Sequence, residues 1–173
     1  MTINTQDKVT FKGNGITLEG NTLSVGEVAP DFTVTRAPFT PVKNSDYAGK
    51  IRFISVTPSV DTGVCDLQMR ALNQKMTETV GDMVVWNISV DTPFALKRYC
   101  GAAGIERVEA LSDYKDHNFG LAFGIYMKEL GLLARSVWIL DQDGVVRYKQ
   151  VVPEMTTEPD YDAALSALRS IAG

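Results

Sequence analysis

The chain has 173 residues, 45% of them hydrophobic and 22% charged. That length and balance predict one folded domain, residues 1–173, with a core large enough to need no staple, and they argue against wholesale disorder. The net charge of −4 leaves no basic surface for nucleic acid. No apolar run approaches the ~18 residues needed to cross a bilayer. Residues 1–8 show no basic segment leading into an apolar one, so a soluble, cytoplasmic protein is expected.

In chain order, residues 8–19 read as a β-hairpin. Val9 and Phe11 alternate with polar residues, as do Ile16 and Leu18, and Gly13-Asn14-Gly15 supplies a tight turn. A short strand follows Pro30, and residues 44–49 read as a turn or short helical connection. The apolar run Ile51–Val56 predicts a strand, and residues 64–79 predict a helix. In that helix Cys65, Met69, Leu72, Met76 and Val80 share one face, with Gly81 and Asp82 ending it. Residues 83–90 predict a buried strand, completing a βαβ unit with parallel strands.

Thr92 caps a second expected helix and Pro93 occupies its first turn; Gly101 or Gly104 ends it, with Cys100 near its end. Residues 108–111 predict a short strand, 118–123 a short helix and 124–133 a loop. Strands at 136–140 and 145–151 are joined by Asp141-Gln142-Asp143-Gly144. That run lacks the spacing of a calcium loop and reads as a turn. Pro159 begins a last helix with Tyr161, Ala164, Leu165, Leu168 and Ala172 on one stripe. The sequon Asn87-Ile88-Ser89 falls in a presumed core strand and is set aside.

Cys65 follows a strand, a proline and a short loop, and begins a helix. Thr62 or Asp61 can cap that helix. Its unpaired N–H groups and its dipole favour a thiolate, which would make Cys65 a nucleophile; the competing reading is an inert, buried cysteine. Cys100 is the only other cysteine, and no C-x-x-C occurs. A single His117 without clustered partners argues against a metal site. If a thiolate attacks a peroxide, Pro58 would cover the sulfur. Thr62, one helical turn before it, could reach the sulfur or an incoming oxygen. A cation would offset charge on the departing oxygen. By position alone Arg135 is either that cation or a snorkelling surface residue. Strand–helix order suggests an α/β thioredoxin-like fold: a central mixed sheet flanked by helices, with the N-terminal β-hairpin added. In such sheets chemistry gathers where strands end and helices begin.

Pro58-Ser59-Val60-Asp61-Thr62-Gly63-Val64-Cys65 resembles the P-x-x-x-T-x-x-C signature of peroxiredoxins. Asp91-Thr92-Pro93-Phe94-Ala95 and Arg98-Tyr99-Cys100-Gly101 resemble its thiol peroxidase subfamily. The resemblance continues through Ala29-Pro30-Asp31-Phe32, residues 131–137 and residues 157–161. It implies a peroxidatic Cys65 and a resolving Cys100 joined in an intramolecular disulfide. It also implies Pro58, Thr62 and Arg135 as the shielding, hydrogen-bonding and electrostatic members of the site. Hydroperoxides would be the substrates, thioredoxin the reductant and a homodimer the assembly; no cofactor or metal is expected. With Cys65 starting one helix and Cys100 ending another, bridging them would require local unwinding. The competing classes are a redox-sensing binding module of the same fold and a general disulfide exchanger, the latter weakened by the missing C-x-x-C.

Overall fold

The computed structural model describes residues 2–76 and 82–173. Strands β1 (Ile3–Phe11) and β2 (Asn14–Glu19) form the N-terminal hairpin, and β3 (Thr33–Arg36) and β4 (Thr40–Lys43) form a second one. The order continues with β5 (Ile51–Val56), α1 (Gly63–Lys75), β6 (Met83–Ser89), α2 (Pro93–Ala103), β7 (Glu109–Ser112) and α3 (Asn118–Ala122). Two-residue strands β8 (Tyr126–Met127) and β9 (Leu132–Leu133) lead to β10 (Ser136–Leu140), β11 (Val146–Val151) and α4 (Tyr161–Ala172).

The central sheet runs β11-β10-β5-β6-β7-β3-β4, with β5, β6 and β7 parallel and the outer strands antiparallel. Its two faces are sorted by residue parity, because side chains alternate along a strand. Ile51, Phe53, Val85, Val137 and Ile139 pack with Met69 and Leu72 of α1, Leu96 of α2 and Ala164 and Leu168 of α4. Ile54, Val56, Trp86, Ile88, Trp138 and Leu140 pack on the opposite face with Phe32, Phe119, Phe123 and the hairpin residues Val9 and Leu18. Towards the ends of β5 and β6 the helix-facing positions turn polar, as Ser55, Thr57, Asn87 and Ser89, all fully buried. That change of character is what makes room for a polar site beneath the start of α1.

Several expectations shift in detail. The hairpin turn is Lys12-Gly13, both at positive φ (50° and 80°), while Asn14 and Gly15 already belong to β2. Residues 124–133 are not merely a loop. Tyr126 and Met127 pair with Glu19 and Leu18 on one side and with Leu133 and Leu132 on the other, widening the hairpin to four strands. Strand β4, unanticipated because Pro41 interrupts it, lies at the sheet edge, where a missing N–H costs nothing. Helix α4 begins after Asp160, whose carboxylate accepts from Ala163 N at 2.9 Å, so Pro159 precedes the cap. The expected run of α1 to residue 79, with Val80 and Gly81, lies outside the described residues.

Candidate active site

The strand-to-helix junction after β5 carries the site. Thr57 and Pro58 are buried at the end of β5, Ser59 and Val60 follow, and Thr62 is the residue before α1. Asp91, from the β6–α2 connection, fixes this loop. Its carboxylate accepts from Ser59 Oγ at 2.7 Å, Val60 N at 2.9 Å and Ser89 Oγ at 2.8 Å. Thr62 does not cap α1 with its side chain; its hydroxyl donates to the Ser59 carbonyl at 3.3 Å. Among the described residues no side chain accepts from the first-turn N–H groups of α1, and the Thr62 hydroxyl makes no hydrogen bond to the sulfur. Thr62 is exposed, whereas Pro58 is buried.

Cys65 lies in the first turn with no exposed surface. Arg135, only 2% exposed, directs Nη2 to Cys65 Sγ at 3.4 Å. The surface reading of Arg135 is thereby corrected, since a guanidinium at this depth must be held by acceptors. Met155 O accepts from Arg135 Nε at 3.0 Å and from Nη2 at 2.9 Å, and Gln68 Oε1 accepts from Nη1 at 2.9 Å. Gln68 Nε2 donates in turn to Ser55 Oγ at 2.7 Å, Ser55 Oγ to Asn87 Oδ1 at 2.9 Å, and Asn87 Nδ2 to Thr57 Oγ1 at 2.9 Å. Among the described residues no carboxylate pairs with Arg135. A buried cation with only neutral acceptors and one sulfur around it is suited to an anion at that sulfur.

Cys100 occupies the last turn of α2 and is half-buried. It lines a cavity of about 200 Å³ with Arg36, Leu96, Ile105 and Val108, where burial pushes its thiol above the ordinary value. Both thiols are free. The residues flanking them nevertheless touch, because Tyr99 Oη donates to Asp66 Oδ1 at 2.7 Å. A cavity of about 550 Å³ lined by Thr33, Phe39, Ser112 and Asp113 includes none of these residues.

The sequence assigned no role in the site to Gln68, Met155 or Asp91, although Asp91 opens one of the family-like motifs. Gln68 left a signal, since it sits three residues after Cys65 on the inward side of α1. Met155 acts through its backbone and left none. Asn87 of the sequon set aside above is fully buried and hydrogen-bonded, in keeping with that reading.

Residues 24–165 match the family model described as Redoxin, and the chain belongs to that family. Within it the similarity is to thiol peroxidases. The thiol peroxidase of Bacillus subtilis (strain 168) is 48% identical over 95% of this chain and 98% of its own length. That of Staphylococcus aureus (strain MRSA252) is 49% identical over 95% and 99%. Among solved structures, a peroxiredoxin-like protein from Aquifex aeolicus superposes with a TM-score of 0.89 at 32% identity, covering 99% of both chains. The thiol peroxidase from Chromobacterium violaceum shares the fold, with a TM-score of 0.85 at 19% identity over 95% of this chain and 97% of that one.

Proposed function

We propose that the chain reduces hydrogen peroxide and organic hydroperoxides by thiol chemistry, with Cys65 as the attacking group. The observation that carries this reading is the 3.4 Å approach of the Arg135 guanidinium to a fully buried sulfur. A thiolate at Cys65 balances that buried charge. It attacks the nearer peroxide oxygen; an S–O bond forms, the O–O bond breaks, and the leaving oxygen takes a proton to depart as water or alcohol. Arg135 offsets the negative charge that builds on that oxygen. Pro58 limits water at the sulfur, and Thr62 turns its hydroxyl from Ser59 towards the bound peroxide.

Cys100 then attacks the sulfenic sulfur. An S–S bond forms, the S–O bond breaks and water leaves. A thioredoxin dithiol reduces the resulting disulfide by two exchange steps. Helix α2 loosens around Cys100 to bring the two sulfurs together, since each is held in its own packed environment while reduced. The enzyme works as a cytoplasmic homodimer. Among the described residues no helix is long and apolar enough to cross a membrane.

Stopped-flow mixing with peroxide tests the roles directly. Cys65→Ser abolishes consumption, whereas Cys100→Ser consumes one equivalent and then stalls in the presence of thioredoxin. Wild-type protein reacting no faster than a free thiol would overturn the reading and favour the redox-sensing binding module.

A further inference from the structure

We infer that Glu154 is a positioning residue for Arg135, acting through the turn of the N-terminal hairpin. The inference rests on the role of Arg135 proposed above. Arg135 is aimed at the sulfur chiefly by one backbone oxygen, Met155 O, which receives two of its N–H groups. A neutral carbonyl fixes the guanidinium without cancelling its charge, as a carboxylate there would. The direction of that carbonyl depends on whatever holds residues 153–156, and the hairpin holds them.

Thr10 N donates to Pro153 O at 2.7 Å and Met155 N to Thr10 O at 3.0 Å, so β1 and this segment run side by side. Glu154 secures the join. Its carboxylate accepts from Thr10 Oγ1 at 2.6 Å, Lys12 N at 3.0 Å, Gly13 N at 3.1 Å, Thr156 N at 3.2 Å and Thr156 Oγ1 at 2.9 Å. Two of these donors are successive N–H groups of the Lys12-Gly13 turn, where Lys12 holds the left-handed conformation that disfavours a side chain. The carboxylate thus stabilises an unfavourable turn and ties it to the residue next to Met155. The Met155 carbonyl and Thr156 N belong to one planar peptide unit, so the bond from Thr156 N to the Glu154 carboxylate at 3.2 Å fixes the direction of that carbonyl.

Thr10, as the largest contributor, and the other donors hold the Glu154 carboxyl down at about 2. It is therefore charged at every pH at which the enzyme is assayed. An amide cannot accept from all five donors, since its nitrogen is itself a donor.

The test is the second-order rate of Cys65 oxidation by hydrogen peroxide in Glu154→Gln, Thr10→Val, Arg135→Lys and the double variant Glu154→Gln/Arg135→Lys. Glu154→Gln lowers the rate about tenfold, as expected for a displaced charge-positioning group, by the same factor from pH 6 to pH 8. Thr10→Val acts in the same direction but less, and it answers the question should Glu154→Gln fail to fold. In the Arg135→Lys background the Glu154→Gln effect shrinks to less than about twofold, because the two act as one unit. The Arg135 Nε proton, held by Met155 in the wild type, exchanges faster with solvent in Glu154→Gln. Folded Glu154→Gln or Thr10→Val reacting at the wild-type rate, or effects that multiply in the double variant, would overturn the inference. Arg135→Lys reacting at the wild-type rate would instead remove the role of Arg135 on which it rests.

Discussion

Gln68 is both acceptor and donor, and few side chains could replace it. Its oxygen steadies Arg135 while its nitrogen satisfies Ser55 and the Val56 carbonyl, at 2.7 and 3.3 Å. Gln68→Leu keeps the bulk but leaves Arg135 Nη1 and Val56 O without that partner. Leaving buried polar groups unsatisfied costs ~1–3 kcal/mol, so urea unfolding shows a loss of that size together with slower peroxide reduction. Cys100 makes a second prediction at this scale. Burial raises its pKa, and resolution needs its thiolate, so disulfide formation in the wild type accelerates as pH rises above neutrality. A flat pH profile for that step, read by rapid-quench thiol trapping, would show that burial of the reduced thiol does not govern it. At this scale Cys65 and Pro58 stand out in the sequence at a strand-to-helix junction, whereas position alone leaves Arg135 between a cation of the site and a surface residue, and the family resemblance favours the first. Met155 does not stand out, since any residue supplies a carbonyl, and the orientation of Thr62 depends on where the Ser59 carbonyl lies.

Helices α1 and α2 meet through Asp66 and Tyr99, neighbours of Cys65 and Cys100 in the chain. The Tyr99 hydroxyl, and next the Arg70 guanidinium, hold the Asp66 carboxyl below its ordinary value of 3.8. Burial keeps Tyr99 protonated by pushing its hydroxyl upward, so it remains the donor. A depressed folded pKa contributes stability that is present above the unfolded value and is lost as pH falls through the folded one. The urea midpoint should therefore fall as pH drops below ~4, and fall less steeply in Tyr99→Phe. Farther along α1, Leu72 is 1% exposed in the helix-side core. Leu72→Ala should cost about 2–5 kcal/mol in the same measurement. Elements with a strong pattern are readable from sequence: α1 and α4 by the helical spacing of their apolar residues, and β5 as an apolar run that is buried on both faces. Strands β8 and β9 are not, because two residues carry no period. Pairing makes them strands: β8 pairs with β2, a partner distant in sequence, and β9 pairs with β8.

Over the whole molecule, parity along β5, β6 and β10 divides the interior into an aromatic layer beneath the four-stranded sheet and an aliphatic layer beneath the helices. The polar slot lies in the helix-side layer at the strand ends, where the sheet stops supplying apolar side chains. The βαβ unit and the mixed sheet were foreseeable from the alternation of strand and helix signals. The link between hairpin and Arg135 was not, since it joins Thr10 to Glu154 across most of the chain.

The Cys65 sulfur shows no surface to solvent while the fold is intact. Any reagent must wait for a local opening of the fold around Cys65. With a bulky maleimide the labelling rate of Cys65 should level off as reagent concentration rises, at a ceiling set by how often the protein opens. Small oxidants would pass in briefer and more frequent openings, so enclosure by itself sorts reactants by size before any chemistry begins.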